Sequence, residues 1–165
     1  MTEMQIPPRA MPSSDAGYFA LLTKAVFVAG FRWSLVEARW PAFEAAFGHF
    51  DIDRVAAYGP PEFERLVADR SLIRNARKIE GTIHNAQVLQ SLRSEHGSVK
   101  AWLDSLSSLT WPERRKAVAA PFQLLGAFGV YFFLWSAGEP VPPHEERDTW
   151  TETLPPGAPE ALGRI

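Results

Sequence analysis

The stretch SLIRNARKIEGTIHNA, at residues 71–86, carries the strongest pattern in this chain of 165 residues. Its apolar residues recur at intervals of three and four, and the stripe continues to Leu89, which is the spacing of one helix face. The pattern predicts one long helix that runs from this stretch to about Arg93. Cationic side chains gather at its beginning, although the formal net charge of the chain is −2: Arg74, Arg77 and Lys78.

This cationic helix start has two interpretations. The first turn of a helix exposes unpaired amide groups and a positive dipole, which together can hold a phosphate group, and arginine or lysine beside it adds formal charge. Alternatively, the cations form an ordinary solvated face that pairs with Asp69 and Glu80. Composition by itself does not separate the two.

The rest of the chain also reads as helix, because apolar residues recur at three and four with few alternating runs. We expect a single all-α domain over residues 14–138, a loose segment over residues 1–13, and an irregular tail rich in proline and acidic residues over residues 139–165. The other predicted helices cover residues 14–30, 34–47, 99–106, 112–120 and 126–138, with two short ones that open at Asp51 and at Pro60.

Bulk properties exclude several classes of protein. Hydrophobic residues make up 46% of the chain and charged residues 22%, which is typical of a soluble globular protein. We expect no membrane span, because no run of about 18 apolar residues occurs, and no secretion, because prolines interrupt the N-terminal segment. The chain has no cysteine, so we expect no disulfide and a cytoplasmic location. With a pI near 6.1, any binding of DNA needs a local cationic patch.

One segment carries a specific resemblance. The run FERLVADRSLIRNARKIEGTIHNAQVL, at residues 63–89, resembles the characteristic segment of the bacterial DNA-3-methyladenine glycosylase I family. The likeness continues upstream in AGFRW (29–33) and FEAAFGHFDIDRVA (43–56), and downstream in FQLLGAFGVYFFLWSAG (122–138), in the order that the family has. It covers roughly residues 14–138.

The resemblance implies an all-α helix-hairpin-helix glycosylase, which flips a damaged base out of double-stranded DNA and hydrolyses its N-glycosidic bond without a cofactor. A flipped base needs aromatic stacking in a closed pocket. Trp33 matches the pocket tryptophan of the family. Gly30 and Phe31 match the loop that the family inserts toward the lesion, where Phe31 is a larger apolar wedge than the usual leucine.

The resemblance also implies contacts with the DNA backbone. Gln123 and Gly126 lie in the hairpin, where a glycine allows backbone amides to approach a phosphate closely. Arg74 and Lys78 are the cationic residues that we expect on the DNA side. Without the resemblance, each aromatic residue at helical spacing would be assigned to the core.

The sequence departs from the family in its recognition residues. Ala25 stands where the family has its base-recognising glutamate, so the chain offers no carboxylate there for the exocyclic amine of a methylated adenine. The N-terminal segment of the family, with a cysteine, a pocket tyrosine and a tryptophan-glycine pair, has no counterpart in residues 1–13. Without cysteine, and with histidines that lack ligand spacing, we expect no structural zinc.

The sequence offers more than one candidate for the catalytic carboxylate. In the wider superfamily an aspartate shortly after the hairpin helix stabilises the developing sugar cation, and the corresponding neighbourhood here offers Glu139, Glu145 and Asp148. Glu145 resembles that aspartate best, because it follows proline closely. Glu37, one turn after Trp33 on the same helix, is the other catalytic candidate.

Three functions are consistent with this pattern. The first is a divergent glycosylase for alkylated or otherwise damaged bases, and the second is a DNA-binding relative that recognises lesions without cleaving them. The third is a helical scaffold for a protein or small-molecule partner. The cationic helix and the glycine hairpin favour the first two. Ala25 and the missing N-terminal segment favour the second over the first, but we rank the glycosylase first as a description of class. We expect a monomer that binds damaged double-stranded DNA.

Overall fold

The computed structural model describes residues 7–30 and 32–142, and over these ranges the chain is helical without any strand. The helices are α1 (Asp15–Val28), α2 (Trp33–Ala46), α3 (Ile52–Ala56), α4 (Pro60–Ala68), α5 (Ala76–His96), α6 (Val99–Ser105), α7 (Trp111–Ala119) and α8 (Ala127–Ser136). A short 3-10 helix, Gly48–Phe50, follows α2. The predicted all-α fold class is confirmed.

Polar caps fix where several of these helices begin. The Ser14 hydroxyl accepts from the Gly17 N–H at 3.2 Å at the start of α1, and the Ser98 hydroxyl accepts from the Ala101 N–H at 2.9 Å at the start of α6. Each oxygen satisfies an amide that has no partner within the helix. Because these signals are local, the predicted boundaries of α1 and α6 lie close to those observed.

The long helix begins later than the apolar stripe predicts. It is α5, which starts at Ala76, because the Asn75 side chain accepts from the Lys78 N–H at 3.0 Å and so caps the helix. Just upstream, Asp69 Oδ1 accepts from the Ser71 N–H at 2.9 Å, a local turn that competes with helix formation. The prediction of helix from residue 71 is therefore wrong, and residues 69–75 form a loop, which we call the arginine loop.

The arginine loop is held against α2. The Arg39 guanidinium donates to the carbonyl oxygens of Arg70 and Leu72, at 2.9 and 3.2 Å. Leu72 and Ile73 are buried, although they lie outside a helix. Most apolar residues of the predicted stripe thus do pack into the core, but the first two belong to the arginine loop and the others to α5.

The centre of the domain is α8. Every residue from Phe128 to Leu134 is buried, as expected for a helix that is apolar on all sides. This helix packs against α1 and α7, while α5 packs against α1, α3, α4 and α6. Gly129 of α8 lies close to α1: a Cβ at this glycine would lie 3.8 Å from the Ala25 carbonyl oxygen. Gly129 therefore lies at the contact between α1 and α8.

Residues 7–13, in the segment predicted as loose, contain no helix but contact the end of α8. The Arg9 guanidinium donates to the carbonyl oxygens of Trp135 and Glu139, at 2.7 and 2.8 Å, and lies 4.4 Å from the centre of the Trp135 ring system. The Trp135 indole N–H donates in turn to the Pro7 carbonyl oxygen at 3.2 Å.

Among the helices that the structure describes, none has the length and apolar character needed to cross a membrane.

Candidate functional site

A cavity of about 180 Å³ lies where α1, α2 and α8 meet residues 7–10. Trp33, at the first turn of α2, lines it, and its ring centre lies 5.4 Å from that of Phe132. An apolar cavity of about 150 Å³ is large enough for benzene. The cavity therefore has room for one small aromatic ring system. Its lining consists of Pro7, Pro8, Ala10, Leu21, Lys24, Trp33, Phe132 and Ser136.

An ion pair borders this cavity. The Lys24 ammonium donates to Glu37 Oε1 at 2.8 Å and lies 4.6 Å from the ring centre of Trp40 and 5.9 Å from that of Trp33. The Lys24 side chain is 14% exposed and that of Glu37 is 41% exposed, so the lysine is the more desolvated partner. Glu37 thus lies near the cavity, but its carboxylate is engaged by Lys24.

Ala25 lies in the interior of the protein, whereas its neighbour Lys24 lines the Trp33 cavity. It is fully buried, it does not line the Trp33 cavity, and its carbonyl oxygen lies beside Gly129 of α8. The position is therefore part of the close contact between α1 and α8. An alanine fits this contact because it adds little volume and no polar atom.

Lys78 supports the turn between α1 and α2. Its ammonium donates to the carbonyl oxygens of Val26 and Phe27, at 2.8 and 3.4 Å, and so satisfies the C-terminal end of α1. A Cβ at Gly30 would lie 2.8 Å from this ammonium, so glycine permits the close approach of the turn. Burial of the amine lowers the pKa of Lys78 to about 8. The sequence grouped Lys78 with the exposed arginines, whereas the structure places it partly beneath the turn.

The lowered pKa of Lys78 provides a test of its burial beneath the turn between α1 and α2. Between its folded pKa of about 8 and its ordinary value of 10.5, the unfolded chain binds more protons than the folded protein, so folding stability gains with rising pH. We expect Lys78→Met to lack about 2 kcal/mol of the stability gain that the wild type shows between pH 7.5 and 9.5. Denaturant unfolding at both pH values measures this difference, with exposed Lys116→Met as the control. An equal gain in Lys78→Met and wild type would contradict the placement.

The turn between α7 and α8, residues 120–126, is anchored to α5. The buried Asn85 amide donates to the Gln123 carbonyl oxygen at 3.1 Å, and the Asn85 Oδ1 accepts from the Gln123 N–H at 2.8 Å. Leu124 adopts a left-handed conformation with φ of 60°, which is uncommon for a residue with a side chain. Gly81 of α5 lies beneath this leucine, since a Cβ there would lie 3.0 Å from Leu124 Cδ1.

This anchoring presents the beginning of α8 to solvent. Gln123 and Gly126 are exposed, and a Cβ at Gly126 would meet no atom within 4 Å. No side chain caps α8. The first amides of α8 therefore lie at an open surface, where a helix N-terminus favours a negative charge.

Arginines converge on a second surface near the start of α2. A depression of about 340 Å³ separates α2 from the arginine loop, and it is lined by Leu35, Arg39, Arg70, Leu72, Ile73 and Arg74. Arg74 and Arg77 are exposed. Arg32, which precedes α2, is exposed as well. Of the cationic residues singled out in the sequence, Arg74 thus lies beside α2.

Comparison with known proteins identifies the lineage. A sequence model of the methyladenine glycosylase family matches residues 10–124 of the chain. The chain belongs to this family. Two solved structures have a similar fold: 3-methyladenine DNA glycosylase I in complex with 3-methyladenine (TM-score 0.71, 22% identity, 82% of each chain covered) and the enzyme from Staphylococcus aureus (TM-score 0.69, 22% identity, 78% of each chain covered). A solution structure of 3-methyladenine DNA glycosylase I has a TM-score of 0.63 at 24% identity, over 82% of this chain and 81% of that one.

The candidate catalytic carboxylates of this member of the methyladenine glycosylase family differ in their distance from the Trp33 cavity and in their burial. Glu37 lies near the Trp33 cavity. Glu139 is buried in an ion pair with Lys100 at 2.8 Å, and this hydrogen bond raises the pKa of Lys100. Glu145 and Asp148 lie outside the described residues, as does Phe31 of the loop. Over the ranges 7–30 and 32–142, no carboxylate lines the Trp33 cavity itself.

Metal ligands do not cluster in the part of the chain that the structure describes: no group of three or more histidine, aspartate or glutamate side chains could hold an ion there. The sequence reasoning also missed three residues of the candidate site. Lys24, Asn85 and Ser136 lie in stretches that the sequence assigns to helices, and the sequence indicates no further role for them. Each is significant because of a contact with a distant segment, for which the sequence carries no local signal.

Proposed function

We propose that this chain is a DNA glycosylase, which extrudes a damaged base from double-stranded DNA into the Trp33 cavity and hydrolyses its N-glycosidic bond. The observation that carries the proposal is that a member of the methyladenine glycosylase family has a cavity lined by Trp33 and Phe132. An aromatic wall formed by Trp33 and Phe132 suits a stacked base. The related enzymes named above act on 3-methyladenine, and we extend to this chain only the class of alkylated or otherwise damaged bases.

The duplex is held from both sides of the cavity in this proposal. The α7–α8 turn directs the first amides of α8, with Gln123 and Gly126 beside them, to a DNA phosphate. Arg74, with the neighbouring arginines, contacts a second stretch of backbone. The turn at Gly30, which Lys78 supports from beneath, carries Phe31 as the apolar wedge that replaces the extruded base.

The chemical step requires little from the protein when the base is a good leaving group. Stacking on Trp33 and exclusion of water by residues 7–10 hold the base, and a carboxylate stabilises the developing positive charge on the sugar. Glu37 and Glu145 are the carboxylates that we assign to this role, and Glu37 is the one whose surroundings are described. Its ion pair with Lys24 would have to loosen as the sugar becomes cationic.

The release of bases tests the proposal directly. Purified protein is incubated with methylated or deaminated duplex DNA, and released bases are separated and quantified by chromatography. We expect catalytic release of at least one damaged base, and Trp33→Ala is expected to abolish it. If no base is released from DNA that contains 3-methyladenine, 7-methylguanine or hypoxanthine, the glycosylase proposal fails for ordinary lesions.

A second candidate function is recognition of lesions without cleavage. Two features favour it: the family resemblance aligns the buried Ala25 with the recognition glutamate, and the Glu37 carboxylate is paired with Lys24. Such a protein would bind lesion DNA with the same surfaces and would release no base. Tight binding in the absence of base release would select this function over the first.

The arginines at the start of α5 provide a separate test of DNA binding. We expect the double variant Arg74→Gln, Arg77→Gln to bind all duplexes about tenfold more weakly at low salt. The slope of log affinity against log salt should fall by about 2, because each lost phosphate contact releases about one counterion fewer. Fluorescence anisotropy across a salt series measures both quantities.

Arg54→Gln, an exposed change on α3, is the control for the loss of one arginine elsewhere on the surface. If the double variant and this control bind DNA equally well, Arg74 and Arg77 belong to an ordinary solvated face.

A further inference from the structure

One buried polar group at the Trp33 cavity has no partner. Ser136, at the end of α8, is 3% exposed, and its hydroxyl oxygen makes no hydrogen bond within the described residues. Most buried hydroxyl groups are hydrogen-bonded, because an unpaired one loses its interactions with water and gains none in return. Ser136 also lines the cavity. Its hydroxyl is therefore available to a molecule that enters.

The other polar side chain on the cavity wall is Lys24. An ammonium has three N–H donors and no acceptor, and one of these donors is directed to Glu37 Oε1. The ammonium nitrogen lies 5.9 Å from the Trp33 ring centre and 4.6 Å from that of Trp40, so the other two donors are beside aromatic rings. Lys24 and Ser136 belong to α1 and α8, which pack directly against each other.

Two backbone acceptors on this wall are occupied. The Pro7 carbonyl oxygen accepts from the Trp135 indole N–H at 3.2 Å, and the Ser136 carbonyl oxygen accepts from the Ala10 N–H at 3.1 Å. Ala25, which the family resemblance aligns with an acceptor glutamate, is fully buried and does not line the cavity. Of the two polar side chains on the wall, the Lys24 ammonium can only donate, whereas the Ser136 hydroxyl can donate or accept, so a carbonyl oxygen suits both.

We propose that the Trp33 cavity selects a neutral base that presents a carbonyl oxygen at its edge, in preference to a base that presents an exocyclic amine. The inference rests on the proposed function, since the base would come from DNA, and it names the class of base. Lys24 and Ser136 donate to the carbonyl oxygen while Trp33 stacks on the ring. Lysine donates to the O6 and N7 acceptors of guanine in the same way when proteins read DNA.

The positive charge of Lys24 also favours a neutral base over a cationic one. The Lys24 ammonium lies at the cavity wall, whereas Glu37, the counterion, is the more exposed partner and does not line the cavity. A cationic base stacked on Trp33 would have this ammonium as a close neighbour, and like charges repel more strongly in a desolvated site. A neutral base avoids that repulsion.

Hypoxanthine and adenine are suitable probes, because they differ at position 6, where the former has a carbonyl group and the latter an amine. We expect the full chain to bind free hypoxanthine about tenfold more tightly than adenine, as a single good hydrogen-bonded contact of this kind provides. Titration followed by the NMR signals of the tryptophan indole groups measures both affinities. Equal affinities, or tighter binding of adenine, would overturn the inference.

Three variants assign the preference to residues. Ser136→Ala and Lys24→Met are each expected to reduce the hypoxanthine preference to less than about threefold, whereas Lys24→Arg, which keeps the donors and the charge, is expected to retain it. Ser91→Ala on α5, whose hydroxyl bonds to the Gln87 carbonyl oxygen, is the matched control. Thermal unfolding verifies that each variant folds. A preference that survives in both Ser136→Ala and Lys24→Met would also overturn the inference.

Binding to DNA separates this inference from the function on which it rests. The preference between free bases decides the inference. The preference for duplex DNA with an abasic-site analogue over undamaged duplex decides whether the protein recognises lesions. If the duplex is preferred and the free bases bind equally, only the inference fails. If hypoxanthine is preferred and the duplex is not, the proposed function fails and the cavity remains a site for a carbonyl-bearing heterocycle.

Discussion

Replacement of Asn85 by alanine is expected to weaken DNA binding at least about tenfold and to lower the free energy of unfolding by about 2–4 kcal/mol. The Asn85 side chain makes two hydrogen bonds with the Gln123 backbone and is almost fully buried. Its removal takes away the partner of the part-buried Gln123 N–H and C=O groups and leaves a gap at the buried Asn85 site, and a lost hydrogen bond of this kind costs about 1–2 kcal/mol. The α7–α8 turn then loses the anchor that holds Leu124 in its left-handed conformation and Gly126 at the surface.

Two comparisons make this result specific to the turn. Gln87→Ala, an exposed change on the same helix, is expected to leave stability and DNA affinity nearly unchanged. Chemical denaturation gives the free energies of unfolding, and anisotropy gives the affinities. Should Asn85→Ala lose stability but bind DNA with wild-type affinity, the turn would have no part in the DNA interface.

Ala25→Glu should have the second large effect, a loss of about 3 kcal/mol or more in the free energy of unfolding. Ala25 is fully buried in a helix that packs directly against α8. A carboxylate placed there is desolvated without a partner, and the added volume forces the two helices apart. The pKa of the new carboxyl group would rise, so we expect the variant to recover part of its stability at acidic pH.

This variant introduces the residue type that the family resemblance implies at position 25, so its outcome shows whether that position faces the cavity. Ala38→Glu, at an exposed site on α2, is the matched control and is expected to change stability by less than about 0.5 kcal/mol. The measurements are thermal unfolding and binding of free 3-methyladenine. A stable Ala25→Glu protein that gains affinity for 3-methyladenine would mean that position 25 opens into the cavity, contrary to the packing described above.

Local signals made most of the fold predictable. Ser14, Ser98 and the proline residues at helix starts mark boundaries through short-range chemistry, and the apolar spacing predicts the helices between them. The beginning of α5 was mispredicted because Leu72 and Ile73 fit the apolar stripe. Asn75 was the available signal, since asparagine prefers the N-cap position over the interior of a helix.

The candidate site was less predictable, because its geometry comes from contacts between distant segments. Trp33 was identified through the family resemblance, and the structure places it at a cavity. Whether Lys24 and Ser136 share that cavity depends on how α1 packs on α8, which neither segment encodes alone. Lys78 has the same explanation: its charge was visible in the sequence, but its burial against the Val26 and Phe27 carbonyl oxygens follows from the position of α1 relative to α5.

The domain has the fold of its family and presents an aromatic cavity at Trp33, an exposed beginning of α8 and the arginine loop. In the proposals above, Lys24 and Ser136 take the place of the glutamate that the family resemblance implies at position 25. In the proposed function, such a change alters which base is accepted without altering how the duplex is held.

The most direct test of this account is the affinity of the protein for duplex DNA that contains one abasic-site analogue, compared with the identical undamaged duplex at low salt. The abasic position removes the cost of unstacking a base and mimics the state in which the nucleotide is extruded. We expect a preference of at least about tenfold for the abasic duplex, together with a steep decrease of affinity with salt. Equal affinity for the two duplexes, or no binding to either, would contradict the assignment of the Trp33 cavity as a base pocket.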